Sequence, residues 1–432
     1  MNDLAAQLKE AIKNENLYIY EMLSPLGKKL YYPKGILSQS SEAIEKANRF
    51  NATIGIATEE NEPMYFQHIQ EHFMGYDPKD IYPYAPPAGK QELRTAWKEK
   101  IIKDNPNLRN EVFGLPIVTN ALTHGLSIAA DLFTDIGDSV LVPDKYWGNY
   151  QSIFHIRRGA NLITYPLFND NGEFDVSAFK DTLFKQKTAG KAVVLLNFPN
   201  NPTGYSPYSK EVEGIITALY EAAQEELNIV VILDDAYFGL FYEDSVKESL
   251  FGYLSGLHPR ILPIKIDGAT KENYVWGLRV GFITFASESP VILEALEQKT
   301  KGLIRGTVSS GSHLSQTVIL KSLQSKEFDL EKQQKYKIME RRAKKVIQVL
   351  NQEKYNNYWS CYPFNSGYFM CLQLKTVDAE ELRVHLLNQY GVGTIAINST
   401  DLRIAFSCVE ERNIEELFDL IYKGIKDLLA FV

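Results

Sequence analysis

The chain has 432 residues, 45% hydrophobic and 23% charged, a length that one compact core serves poorly and that points to two domains. Acidic residues outnumber basic ones and give a net charge of −8, and the basic residues are scattered, which argues against a phosphate-backbone surface and so against nucleic acid as a partner. The three cysteines, Cys361, Cys371 and Cys408, form neither a C-x-x-C pair nor a spaced His/Cys set, so no metal and no disulfide framework is expected, and a reducing cytoplasm is the expected compartment.

The N-terminal stretch MNDLAAQLKEAIKNENLYIYEML carries charges at helical spacing and has no uninterrupted apolar run. No run in the chain approaches the ~18 apolar residues of a membrane span, so a soluble, unprocessed chain is expected. Residues 1–65, with the turn-rich entry PLGKKLYYPKG, precede the main strand series and are expected to pack with a smaller domain.

Between residues 66 and 305, β-branched apolar runs recur: LPIVT (115–119), SVLVP (139–143), KAVVLLNF (191–198), NIVVILDD (228–235), ILPIKID (261–267) and RVGFITF (279–285). Amphipathic stretches such as SKEVEGIITALYEAAQEEL (209–227) lie between several of them. Alternating strand and helix predicts an α/β domain with a mostly parallel sheet covered by helices on both faces. Beyond 305 a continuous helical connection is expected, then the charged stretch KEFDLEKQQKYKIMERRAKKVIQVLNQE and short strands at GYFMCLQL and DLRIAFS. These make residues 306–432 a smaller α+β domain.

In parallel sheets chemistry gathers in the loops at the carboxyl ends of the strands. After the third of these runs comes PNNPTGYS, a rigid turn able to aim Asn201 over the strand ends. After the fourth, Asp234 and Asp235 end a buried strand, which is costly unless they are paired, and Tyr237 follows closely. After the fifth comes DGATKENYVWGLRVGF, with Lys271 beside an apolar strand and Arg279 eight residues on. Singly, these are a turn, a helix cap and a solvated lysine. Together, an amine, a carboxylate, an asparagine, a tyrosine and an arginine suit a phosphorylated, carbonyl-bearing aromatic ring with a basic nitrogen, and pyridoxal phosphate has that chemistry.

On Asn201-Pro202-Thr203-Gly204, Asp234-Asp235-Ala236-Tyr237, Lys271 with Arg279, and Arg403 in DLRIAF, the chain resembles the class I/II aminotransferases of the fold-type I pyridoxal-phosphate enzymes over roughly residues 80–410. The resemblance implies that Lys271 forms a Schiff base with the cofactor and shuttles the substrate Cα proton. Asp234 would hold the pyridine nitrogen, Asn201 and Tyr237 the ring oxygen, and Arg279 the phosphate. It further implies phosphate contacts from the amides of Ala121, Leu122 and Thr123, although relatives often carry glycine or serine at the first two of these positions. His124 beside them reads mainly as a packing residue.

By the same resemblance Trp147 would stack on the cofactor ring, and Tyr84 would reach the cofactor of a partner subunit, making the enzyme a homodimer with shared sites. Arg403 would clamp the substrate carboxylate, with Gly55 offering a backbone contact, and Arg305 aligns with an arginine that in some relatives takes a distal carboxylate. The expected reaction is therefore transamination between an L-amino acid and a 2-oxo acid. Aspartate or glutamate is favoured through Arg305, and an aromatic amino acid comes next through the tyrosine-rich YYPKG.

A lyase or synthase using the same cofactor, such as a cysteine–sulfur lyase or an aminocyclopropane-carboxylate synthase, shares Lys271, Asp234 and Arg403. An inert regulatory relative of this fold should lack Lys271 or Asp234. The chain departs from the family at Gly268, where relatives commonly have a hydroxyl residue three positions before the lysine; Thr270 is the nearest substitute.

Overall fold

The computed structural model describes residues 3–30, 35–73, 75–108 and 112–430. Tyr31 and Tyr32, which suggested an aromatic substrate, lie outside the described residues. Seven strands form the main sheet: β1 (Ile117–Asn120), β2 (Ser139–Pro143), β3 (Asn161–Tyr165), β4 (Lys191–Leu196), β5 (Asn228–Asp234), β6 (Ile261–Asp267) and β7 (Val280–Phe285). Their spatial order is β1-β7-β6-β5-β4-β2-β3. Successive residues of a strand face opposite sides, and β4 to β7 are buried at almost every position, so both faces are covered.

Strand polarity decides where side chains meet. β2 to β6 run parallel to one another, whereas β7 is antiparallel to both β6 and β1. The carboxyl ends of β2, β4, β5 and β6, the amino end of β7 and the carboxyl end of β1 therefore share one edge. Register keeps these ends level: Leu196 lies beside Leu233, Asp234 beside Ile266, Asp267 beside Phe282 and Val280 beside Asn120.

The helices needed below are α1 (Gln91–Asp104), α2 (Ala121–Phe133), α3 (Ser209–Gln224), α4 (Ala269–Glu272), α5 (Pro290–Thr307), α6 (His313–Gln324) and α7 (Phe328–Leu350). α2 packs on β5, β6 and β7, and α3 on β5 and β6. A helix does run across residue 305, but the expected continuous helical connection beyond it is interrupted. α5 ends at Thr307, Ser309 takes a left-handed φ of 65°, and the Ser312 side chain caps α6 by accepting the Ser315 N–H at 3.2 Å. The Ser-Gly content of TVSSGSH favours this break. β3 was not anticipated either: it is an edge strand of mixed polarity and lacks a clear period.

A second sheet orders β8 (Trp359–Cys361), β9 (Phe369–Leu374), β11 (Asp401–Ala405) and β10 (Ile395–Ala396) as β8-β9-β11-β10. The N-terminal part of the chain packs with this region: Phe50 and Asn51 pair with Val392 and Gly393 in a separate two-stranded sheet, and the Ala405 N–H donates to the Ala52 carbonyl at 2.9 Å. Helices Asp3–Glu15 and Leu17–Met22 pack on each other. The two sheets meet at Gly204, whose carbonyl accepts the Asn365 and Ser366 N–H groups at 2.9 Å each. Its φ of 75° and the Phe369 carbonyl, 2.0 Å from where a Cβ would stand, leave room for glycine alone.

Candidate active site

A cavity of about 250 Å³ opens at the shared strand edge. Asn201, Asp234, Tyr237, Lys271 and Arg279 all line it, although they come from three separate connections, after β4, after β5 and between β6 and β7. The Lys271 amine lies 5.1 Å from the centre of the Tyr237 ring. Burial lowers its pKa to about 8; Asp234 opposes that shift and Arg279 adds to it. An amine so placed is largely free base at mildly alkaline pH and is a competent nucleophile toward carbonyls.

Asp234 ends β5 and is 3% exposed. Its Oδ2 accepts the Tyr150 hydroxyl at 2.5 Å, while its Oδ1 is buried without a hydrogen-bond partner among the described residues. Burial raises its pKa to about 6, and the Tyr150 hydrogen bond and Lys271 hold it from rising further. An orphaned buried carboxylate oxygen is costly and fits a site built for a donor from outside the chain, such as a pyridinium N–H.

Asn197 ties the loops together. Its amide donates to the Asp234 carbonyl at 2.7 Å, and its Oδ1 accepts the Asn201 N–H at 2.8 Å. The Asn201 Oδ1 in turn accepts from Arg403 Nη1 at 3.0 Å, which leaves the Asn201 side-chain amide as its donor end. Arg403 is 2% exposed on β11, donates through Nη2 to the Thr53 carbonyl at 2.9 Å, and lies 4.2 Å from the Phe369 ring centre. Among the described residues no carboxylate pairs with it, and burial brings its pKa down to about 10. A buried guanidinium with neutral partners only is suited to an incoming anion.

The remaining sequence candidates divide. Gly55, Leu122, Thr123 and Trp147 line the cavity, and Trp147 packs edge-on against Tyr150 at 5.6 Å. Ala121 requires a correction. It adopts a left-handed φ of 64° and its N–H donates to the Arg279 carbonyl at 3.1 Å, so that amide is already used, and only those of Leu122 and Thr123 remain candidates for a phosphate.

His124 packs as expected, accepting the Asn120 N–H and meeting the Thr307 hydroxyl, each at 3.1 Å. Tyr84 is 93% exposed and does not line the cavity. Arg305 is exposed in the last turn of α5, bonded to Ser309, and the chain itself does not bring it to the site. Sequence reasoning missed Tyr150, Asn197, Ile56 and Trp276. For Asn197 there was a signal, because a buried amide inside KAVVLLNF has to find partners.

Gly268 has a steric explanation. A Cβ there would stand 2.7 Å from the Val280 carbonyl oxygen, 2.8 Å from Gly281 Cα and 3.1 Å from Leu122 Cδ1, so β7 and α2 occupy the space a serine would need. Thr270 turns its hydroxyl toward the Val280 carbonyl at 3.4 Å. Arg279, whose guanidinium is exposed and donates only to the Trp276 carbonyl at 3.3 Å among the described residues, is left as the principal cation for a phosphate.

Comparison with known proteins places these features in a group. The family model described as aminotransferase class I and II matches residues 57–421. Aspartate aminotransferase of Pyrococcus abyssi is 30% identical over 226 residues, 51% of this chain and 54% of that protein. Aromatic-amino-acid aminotransferase 2 of Thermococcus litoralis is 28% identical over 217 residues, 50% and 52% of the two chains. The matched stretch thus spans about half the length of these curated relatives. Among solved structures, an aminotransferase from Anaerococcus prevotii superposes with a TM-score of 0.83 at 23% identity, covering 93% of this chain and 99% of that one. A Pyrococcus horikoshii kynurenine aminotransferase in complex with PMP gives 0.78 at 18% identity, covering 95% and 98%.

Two predictions follow from this geometry. In the apoprotein, the rate at which Lys271 reacts with an amine-directed reagent, read by peptide mass spectrometry, should rise with pH and level off just above about 8; a rate still climbing toward the ordinary 10.5 contradicts the burial argument. Gly268→Ser, which adds the hydroxyl expected there from the family resemblance, should lower apoprotein stability in urea by roughly 1–3 kcal/mol through overpacking. Unchanged stability together with tighter cofactor binding would show that the space exists.

Proposed function

Because the chain belongs to the class I and II aminotransferases, we propose that it transfers an amino group between an L-amino acid and a 2-oxo acid, with pyridoxal phosphate as cofactor. The observation that carries this reading is Lys271, an amine with a lowered pKa, sharing one cavity with Asp234, a carboxylate whose inner oxygen lacks a partner. Bound there, pyridoxal phosphate supplies a carbonyl for the migrating amino group and a ring that takes up electrons from the substrate Cα.

The chain's own groups divide the remaining work. Asp234 Oδ1 accepts the ring N–H, its orientation fixed by Tyr150 at Oδ2, and a cation at that oxygen favours the carboxylate form. The Asn201 amide and the Tyr237 hydroxyl donate to the ring oxygen, and Trp147 covers the ring face. Arg279 and the amides of Leu122 and Thr123, at the start of α2, take the phosphate. Lys271 Nζ, largely free base above its lowered pKa of about 8, would be the group that takes up the proton at the substrate Cα and holds it within the cavity. Arg403 receives the substrate carboxylate and so orients the Cα–H bond.

The near-complete exposure of Tyr84 supports a homodimer in which Tyr84 of the partner subunit completes the phosphate site. Of the cavity-lining residues not assigned to the cofactor, Ile56 and Trp276 are apolar, which supports an aromatic or other large neutral side chain. Aspartate or glutamate would need a distal cation, and Arg305 could serve only from the partner subunit.

The test is a half-reaction without acceptor. One amino acid added to the loaded protein should discharge the visible absorbance and release one equivalent of 2-oxo acid, and a second 2-oxo acid should restore the absorbance. Lys271→Ala should slow this by several orders of magnitude. Continuous release of pyruvate or ammonia with no acceptor would favour the lyase reading. Use of aspartate that disappears in Arg305→Ala would favour the dicarboxylate.

A further inference from the structure

Lys271 and Asp234 are each followed by an acidic residue, Glu272 and Asp235, that does not line the cavity. Both belong to buried charge clusters behind the site. Asp235 pairs with Lys265, which is 1% exposed, and accepts the Ser249 hydroxyl at 2.6 Å; Asp267 takes the Trp97 indole N–H at 3.1 Å. Glu272 is 6% exposed and holds two cations: Lys100 of α1, 2.9 Å from each of its oxygens, and Lys332 of α7. Burial pushes the Glu272 carboxyl up, but Lys100 and Lys332 outweigh burial and bring it down to about 2, so it stays ionised.

This clamp matters because Lys271 sits in α4, a helix of four residues. One turn fixes several dihedrals for very little hydrogen bonding and does not hold itself, so the direction of the Lys271 side chain depends on what grips the turn from outside. Two grips come from the C-terminal part of the chain. Tyr368 donates its hydroxyl to the Lys271 carbonyl at 2.9 Å, and Lys332 reaches Glu272. One turn further along the same face of α7, Lys335 pairs with Glu59, in the segment that carries Gly55 and Ile56 into the cavity wall. A single helix thus holds both the nucleophile's turn and the substrate-side wall.

We propose that Glu272 is a positioning residue for Lys271, and that Lys332 is the arm through which α7 sets the amine's reach toward the cofactor. The inference rests on the reading of Lys271 as the group that captures pyridoxal phosphate. Loss of capture in Lys271→Ala tests that reading, whereas Lys332 variants test the clamp alone.

Lys332 is 27% exposed at its side chain, and its removal leaves Glu272 paired with Lys100, so Lys332→Met should fold. In the full-length protein, Lys332→Met should slow covalent capture of pyridoxal phosphate by the apoprotein about tenfold and lower kcat by a similar factor, the scale expected when a reacting group is misaligned. The KM for the amino acid and the Kd for pyridoxamine phosphate, which needs no amine, should stay within about twofold. Lys332→Arg should restore capture and kcat. Glu272→Gln, if it folds, should reproduce the Lys332→Met pattern. The proposal is overturned if folded Lys332→Met captures and turns over at the unaltered rate, if KM changes in place of kcat, or if pyridoxamine phosphate affinity falls by the same factor as capture, which would mean general loosening of the site.

Discussion

Everything at the site depends on the relative direction of seven strands. With β4, β5 and β6 parallel and adjacent, their carboxyl ends must emerge together, and this brings the Asn201, Asp234 and Lys271 loops to one place. Reversal at β7 starts that strand at the same edge, and so Arg279 lies near Lys271 although β7 runs the other way. The eight-residue separation of amine and guanidinium is the length of chain needed to leave β6, make one turn of helix and re-enter at β7. Had β7 been parallel, Arg279 would start from the opposite edge.

Concentrating polar groups at the edge of a buried sheet is unfavourable by itself. Asp234 keeps one oxygen unpartnered, Arg403 is buried without a carboxylate among the described residues, and Lys271 is desolvated enough to lower its pKa. Groups that merely stabilised the fold would be paired with each other, as Lys265, Asp235 and Asp267 are nearby. The contrast between a satisfied cluster behind the sheet and an unsatisfied one in front separates structural charge from functional charge in this chain. It also divides labour along the sequence, since in both DD and KE the first residue faces the cavity side and the second joins the supporting network.

Much of this was legible in the sequence, because apolar runs bounded by polar loops mark buried parallel strands and chemistry follows their carboxyl ends. SVLVP and ILPIKID coincide with β2 and β6 residue for residue. What escaped was contact across distance. Nothing local in PDKYWGNY says that Tyr150 reaches Asp234, 84 residues away. Nor does TNALTHG disclose that Ala121 turns its amide to Arg279 instead of leaving it free, a consequence of β1 lying beside β7. Arg305 was a candidate through the family resemblance, and within one chain its place in the exposed last turn of α5 keeps it out of the cavity lining. The break at Thr307 was hidden because amphipathic helices flank it on both sides.

The central claim is that Lys271 alone, among many lysines, is the amine that meets the cofactor's carbonyl at this strand edge. Borohydride reduction of the protein loaded with pyridoxal phosphate, followed by peptide mass mapping, tests it most directly. The account predicts one cofactor-sized mass addition per chain, on the peptide containing Lys271. Addition at a different lysine, or label spread over surface lysines with Lys271 unmodified, would contradict it.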